Sequence, residues 1–291
     1  MVGLGCNNFG ARLDLEATRS VVDAAIEEGV NFFDTANTYG NRGGSEELLG
    51  QVLAGRRDEV VLATKFGSDM GEGPGVARAS RRYIRKAVED SLRRLRTDRI
   101  DLYQLHRPDG LTPMDETLEA LDELVKEGKV LYVGSSNLAA WQVADADWTS
   151  RTQGTVRFVS AQNHYSLLAR EAEAELLPAC ERYGVGLLPY FPLANGLLTG
   201  KYRAGQPRPK GTRLEGRHIE PATLEKVEIL ADFAEKRGHS LLELAFGGLL
   251  ARPAVSSVIA GATSAEQVRA NAAAAEWDLS PEDLAELDGL R

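Results

Sequence analysis

Residues 27–36 read EEGVNFFDTA. An amphipathic helix ends here on Gly29, an apolar strand follows almost at once, and that strand finishes on a carboxylate, Asp34. The same join recurs as EGKVLYVGSS at 127–136 and RYGVGLLPYF at 182–191, with Gly128 and Gly184 as the helix-ending residues. Further short apolar runs are GLGCN (3–7), VVLATKF (60–66), IDLYQLH (100–106), FVSAQN (158–163) and SSVIAG (256–261). Helix starts are marked as well. Thr112 is placed as an N-cap with Pro113 at the first helical position, and Ser264 with Gln267 fits a capping box.

Eight strands therefore alternate with eight or more helices, and the strands are apolar on both faces, as in a parallel sheet covered by helices. No Ser/Gly/Pro linker divides the chain, so the expected architecture is a single-domain (β/α)8 TIM barrel over residues 1–291. An open doubly wound sheet is the alternative, and it would need a glycine fingerprint. The only candidate, GLGCNNFG at 3–10, has the spacing G-x-G-x-x-x-x-G with Asn8 where the third glycine belongs, so the barrel is preferred.

Bulk properties exclude several classes. The longest apolar runs are too short to span a bilayer, and residues 1–30 lack a cationic signal-peptide start. Two cysteines, Cys6 and Cys180, exclude a disulfide framework and point to a reducing, cytoplasmic setting. A net charge of −9 opposes nucleic-acid binding. The basic stretch Arg78–Arg96 carries Ile84, Val88, Leu92 and Leu95 at helical spacing and reads as a helix with a solvated basic face. The second basic stretch, residues 200–217, has six basic side chains and one acid among glycines and prolines, so it is a loop that invites an anion.

In a TIM barrel the site is built at the C-terminal strand ends. Those ends carry Cys6 and Asn7, Asp34, Lys65, His106, Ser135 to Asn137, Gln162 and Asn163, Tyr190, and Gly261 to Ser264. Neighbouring parallel strands lie about 4.8 Å apart, so Asp34 and Lys65 can pair. Tyr39 reaches over from the adjoining loop, and a nearby cation favours its phenolate, tuning a phenol whose free pKa is about 10. His106 can hydrogen-bond the same substrate oxygen. Proton donation without a serine or cysteine nucleophile suggests carbonyl reduction, which needs an electron source. Ser136, Asn137 and Gln162 offer groups suited to a carboxamide, and Tyr190 offers a face for a flat ring. The basic loop and the helix start after the eighth strand lie where barrels hold phosphate. A nicotinamide dinucleotide satisfies all of these, and no metal is called for.

The segments FFDTANTYG, LATKFG, DLYQLHRPD, VGSSN, QNHYS, PYFPLANGLLTGKY and VIAGATSAEQVRAN resemble, in order and spacing, the aldo-keto reductase superfamily, up to about Asn271. The resemblance implies a barrel that reduces aldehydes and ketones with NAD(P)H bound extended. By motif position, Asp34, Tyr39, Lys65 and His106 match the catalytic tetrad, with Tyr39 the general acid. Ser136, Asn137 and Gln162 match the nicotinamide amide ligands, and Tyr190 the ring-stacking partner. The segment Leu193 to Lys201, with Gly196 and Leu197, resembles the pyrophosphate loop. Gly261 to Asn271, with Thr263, Ser264 and Gln267, resembles the adenosine end.

Departures from the family pattern bear on other properties. The chain begins essentially at the first strand, without the N-terminal β-hairpin usual in the family, so either Met1 is a late start or the barrel floor is less covered. It stops soon after the last helix, which suggests an open, permissive site. NADP-preferring members commonly carry a basic residue just after the eighth strand. Here the nearest cation is Arg269, so a modest preference for NADPH over NADH is expected. The loops after strands one, three and four are expected to line the substrate pocket, the second of them glycine-rich and mobile. Two rival readings stand beside the enzyme. The β subunits of voltage-gated potassium channels are similar to this family and serve as binding partners. A metal-dependent barrel hydrolase would want paired histidines, whereas His106, His164, His218 and His239 are scattered.

Overall fold

A computed structural model describes residues 1–203, 205–206 and 210–290. Eight parallel strands form one sheet in the order β7-β6-β5-β4-β3-β2-β1-β8. They are β1 (Val2–Gly5), β2 (Phe32–Asp34), β3 (Val61–Phe66), β4 (Ile100–Leu105), β5 (Val130–Ser136), β6 (Phe158–Gln162), β7 (Gly186–Leu187) and β8 (Val258–Gly261). The sheet curls shut where Ser256 N donates to Leu187 O (3.0 Å) and Ile259 N to Pro189 O (3.2 Å). The result is the expected (β/α)8 barrel.

Helices alternate with the strands: α1 (Leu15–Glu27), α2 (Tyr39–Val52), α3 (Arg81–Leu95), α4 (Met114–Lys126), α5 (Ala140–Gln153) and α6 (Leu176–Tyr183). Two helices, α7 (Pro221–Glu235) and α8 (Leu241–Leu250), fill the last crossover, and α9 (Ala265–Ala273) and α10 (Pro281–Gly289) follow β8. Gly29, Gly128 and Gly184 all take left-handed φ at the helix ends, where a Cβ would cost energy. Ile84, Val88, Leu92 and Leu95 are the buried stripe of α3, so its arginines face outward.

Two capping assignments need correction. Helix α4 starts at Met114, with Pro113 as an extended N-cap residue, because Thr112 turns its hydroxyl and amide to Asp109 instead. At α9, Ser264 does accept from Gln267 N, but the Gln267 carboxamide reaches past it to Thr263, so only half of the capping box forms. Strand β7 is also shorter than its apolar run. Pro189 has no N–H to donate, and the ladder to β6 continues through Leu188 N to Ala161 O, Tyr190 N to Asn163 O and a long Tyr165 N to Tyr190 O bond.

The strand period of two explains how the site arises. A small layer inside the barrel is apolar: Phe32, Ala63, Leu102, Leu188 and Ile259. Two residues further along β2, β3 and β4, the same face carries Asp34, Lys65 and Gln104, all buried. The register sets Lys65 beside Gln104 and Asp34 beside Ala63. Gly134 on β5 leaves room there, since a Cβ would press on the Ser160 hydroxyl and on Gln104. The main core lies outside the sheet, between it and the helices.

Candidate active site

Lys65 is fully buried, and its Nζ lies 2.5 Å from Asp34 Oδ2 and 2.9 Å from Thr35 O. A third contact, 3.4 Å, runs to the Tyr39 hydroxyl. The other Asp34 oxygen accepts from Gln104 Nε2 (3.0 Å) and Gln162 Nε2 (2.9 Å). Two amide donors on Asp34 and two oxygen acceptors on Lys65 thus hold one buried pair, which is what keeps two charges viable away from water. Burial opposes the Lys65 charge, but the Asp34 carboxylate and the Tyr39 hydroxyl more than offset it, and its pKa lies above the ordinary lysine value.

Tyr39 opens α2, yet the next four residues leave the helix: Gly40, Asn41, Arg42 and Gly43 all have positive φ. Gly40 is required, because a Cβ would sit 2.5 Å from Phe9 O and Ser45 N. This left-handed turn places the Tyr39 ring edge-on to His106, centroids 5.9 Å apart, with Lys65 Nζ 4.9 Å from the Tyr39 centroid. Burial raises the Tyr39 pKa, and Lys65 pulls it back only in part. The expectation that the cation would hold the phenol below its ordinary value is therefore corrected: desolvation wins, and the Tyr39 hydroxyl keeps its proton at neutral pH. His106 is pushed down to about 3, first by burial and then by the Lys65 charge, so its imidazole is neutral. Its Nδ1 is buried without a partner.

Beside this group, Ser136, Asn137, Gln162 and Tyr190 form one network. Asn137 Nδ2 donates to His106 O (2.9 Å) and to Ser136 Oγ (3.0 Å), while Asn137 Oδ1 accepts from Tyr190 Oη (2.9 Å). Ser136 Oγ donates to Gln162 O (2.7 Å). The donors of all three amide-ligand candidates are thus engaged within the protein, and what they leave over is acceptor capacity. Tyr190 is backed by His164, whose ring stacks at 5.6 Å and 10°. That gives His164 a role as a support, which its position in the sequence did not reveal.

These side chains border a cavity of about 650 Å³ that runs from Tyr39 and His106 to Asn271. Asn7, Asp34, Leu193, Gly196, Lys201, Gly261, Thr263 and Gln267 also border it. Four candidates do not. Cys6 is fully buried, its thiol turned to Leu4 O and its pKa raised well above normal by burial. Leu197 packs on the cluster of Tyr202, Leu214 and Ile219. Ser264 is spent on the cap, and Lys65 lies beneath the wall. The loop of residues 67–79 contributes no wall residue either. It folds on itself, with Asp69 accepting from Gly71 N and Gly73 N, and Gly71 sits against the Arg42 side chain. In the basic loop, Lys201 and Arg213 reach the cavity, Arg203 is tied to Glu228 and Glu235, and Arg208 lies outside the described residues. Arg269 is paired with Glu27 and Glu28, away from the cavity.

Residues unnoticed in the sequence matter here. Gln104 is buried and holds Asp34, and its signal was a lone amide two residues past Leu102 on an apolar strand. Asn8 joins the two ends of the barrel seam, donating to Ala262 O and accepting from Arg213 Nη2 (3.3 Å). Among the described residues, no group of three His, Cys, Asp or Glu converges where it could hold a metal ion, and no helix is long and apolar enough to cross a membrane.

A parallel (β/α)8 barrel with a buried Asp–Lys–Tyr group at the strand ends defines a barrel oxidoreductase. The sequence profile of the Aldo/keto reductase family matches residues 1–291, and the chain belongs to that family. It is 39% identical to the uncharacterized oxidoreductase YrpG of Bacillus subtilis, over 99% of this chain and 90% of that protein. A probable voltage-gated potassium channel subunit beta of Oryza sativa subsp. japonica is 38% identical, over 90% of this chain and 83% of that one. The L-glyceraldehyde 3-phosphate reductase of Escherichia coli K12 is 35% identical, over 97% and 86% respectively.

Proposed function

We propose that the protein reduces aldehyde and ketone carbonyls with a nicotinamide cofactor, NADPH more readily than NADH, and that Tyr39 is the general acid. The observation that carries this reading is the buried Asp34–Lys65 pair, with its ammonium 3.4 Å from the Tyr39 hydroxyl at the cavity wall. The donor set fits the cofactor. Acceptors at Asn137 and Gln162 suit a carboxamide NH2, Tyr190 offers a ring backed by His164, and Arg12, Lys201 and Arg213 border the far part of the cavity as phosphate partners. Held there, a reduced nicotinamide would supply the hydride for the carbonyl carbon.

The chain's own residues manage the proton. Tyr39 gives its proton to the carbonyl oxygen, and the phenolate left behind is stabilised by the ammonium of Lys65. Asp34 keeps that ammonium charged, and Gln104 and Gln162 keep Asp34 in place. His106, neutral at working pH, hydrogen-bonds the same oxygen without competing as the acid. Tyr39→Phe fills the same space and removes only the proton. It should lower kcat about 10²- to 10⁴-fold with cofactor affinity nearly unchanged. A variant that keeps more than about a tenth of wild-type turnover would remove Tyr39 from this role.

A second reading, a cofactor-binding regulatory subunit, is favoured by the likeness to the Oryza channel subunit beta. Multiple-turnover assays separate the two. A regulator retains bound cofactor but reduces aldehydes very slowly over repeated cycles.

A further inference from the structure

Among the described residues, four cations border the cavity, Arg12, Arg107, Lys201 and Arg213, against one carboxylate, Asp34. On a chain of net charge −9 this is a local inversion of sign. Asp34 neutralises none of them, since its oxygens are held by Lys65, Gln104 and Gln162. Arg12 and Arg213 belong together: Arg213 bonds Asn8, and Arg12 lies close enough to lower the Arg213 pKa. Lys201 is on the same chain segment as Arg213. Those three suit the proposed cofactor's phosphates.

Arg107 stands apart from them. It directly follows His106 and borders the same cavity as Tyr39, His106 and Tyr190, so it lies at the reacting end. Its side chain is exposed and has no ion pair or hydrogen bond among the described residues. The nearest carboxylate in sequence, Asp109, is no partner: it accepts from the amides of Ala79, Leu111 and Thr112 and from the Thr112 hydroxyl. A guanidinium on a cavity wall with no partner among the described residues is a site for an oxyanion, with two donors in fork geometry.

We propose that Arg107 binds an anionic group of the substrate, a carboxylate or phosphate a few bonds from the carbonyl, so that small acidic aldehydes and ketones are preferred over neutral ones. This rests on the reductase reading given above. The anion is a handle and is unchanged by the reaction. Arg107 adjoins His106, so the distance from handle to carbonyl is short, and long apolar substrates gain nothing from it.

Two matched pairs test this with NADPH: succinic semialdehyde against butanal, and glycolaldehyde phosphate against glycolaldehyde. In the wild type kcat/KM should favour the anionic member of at least one pair, and the larger ratio tells whether carboxylate or phosphate is the natural handle. Arg107→Gln should lower that ratio about ten- to a hundredfold, the size of a lost charge-assisted hydrogen bond. Arg107→Lys should restore part of it, and high salt should narrow it. Ratios near one in the wild type, or unchanged in Arg107→Gln, overturn the proposal while leaving the reductase reading intact. If none of the four aldehydes is reduced, the reductase reading fails, and titration calorimetry still decides the anion site. Binding of 4-hydroxybutyrate to the wild type but not to Arg107→Gln then supports it, and no difference between the two overturns it.

Discussion

The two ends of the cavity are built on different principles. At the reacting end, Asp34, Lys65 and Gln104 sit on three adjacent strands, buried, with partners fixed by register. At the end proposed for the nucleotide, Arg12, Lys201 and Arg213 project from loops and are partly or fully exposed. The first is a preorganised electrostatic device, in which each charge is balanced before substrate arrives. The second is an unbalanced one: burial and then neighbouring guanidiniums lower the Arg213 pKa, so an incoming anion relieves repulsion as well as making contacts. Damage at the reacting end should therefore appear in kcat and stability, and damage at the nucleotide end in KM for the cofactor.

The largest effect expected is at Lys65. Lys65→Met leaves Asp34 Oδ2 and Thr35 O without their donor and removes the cation that steadies a Tyr39 phenolate. Turnover should fall about 10²- to 10⁴-fold, and unfolding should become easier by about 3–5 kcal/mol, the usual penalty for breaking a buried pair. A folded variant with a wild-type pH–rate profile would make Lys65 purely structural.

That end was also the more legible in the sequence, and for a physical reason. A strand has a fixed period and a fixed spacing to its neighbours, so Asp34 and Lys65 could be paired from their places at two strand ends. Gln104 escaped notice because an amide within an apolar run carries no charge to flag it. The sign of the Tyr39 shift was misjudged because desolvation depends on what surrounds a phenol in three dimensions, which motif spacing does not encode. The glycine-rich loop after β3 was expected in the pocket wall, but its own Asp69 turns it elsewhere. At the nucleotide end, the sequence pointed to Arg269 as the nearest cation. The fold instead gives Arg269 to Glu27 and Glu28 of α1 and brings in Arg12 and Arg213 from distant loops.

His106 offers a test of the reacting end that needs no substrate. Its folded pKa is about 3, against about 6.5 for the unfolded side chain. Between these values the unfolded chain binds the proton more readily. The stability that depends on neutral His106 is thus complete above the unfolded pKa and is lost as pH falls. The slope should approach about 1.4 kcal/mol per pH unit. Urea melts between about pH 6 and pH 4 on wild type and His106→Gln should show the acid limb flattened in the variant. Parallel limbs would assign the loss to other groups.

A smaller effect is expected at the nucleotide end. Arg213→Ala removes one partly exposed residue proposed to pair with phosphate, so KM for NADPH should rise about tenfold with kcat within a factor of about two. A fall in kcat without a change in KM would break the division between the two ends.

The smallest expected effect concerns the choice of cofactor. A 2′-phosphate near Gly261 to Asn271 would meet the N-terminus of α9, which favours an anion. Yet the Thr263 amide and hydroxyl both donate to Gln267 Oε1 (2.8 and 3.1 Å), and Arg269 is paired elsewhere. The strong donors at that spot are therefore engaged, and most of the cationic charge lies where it can serve the pyrophosphate common to both cofactors. NADPH should be preferred only several-fold in kcat/KM at low salt, well short of the roughly ten- to hundredfold that a dedicated charge-assisted hydrogen bond brings. Arg269→Ala should leave that ratio unchanged, whereas Arg213→Ala should weaken both cofactors and shift the ratio little. Equal or better use of NADH by the wild type would assign all three cations to groups that both cofactors share. A collapse of the ratio in Arg269→Ala would mean that Arg269 leaves Glu27 and Glu28 for the phosphate when the cofactor binds.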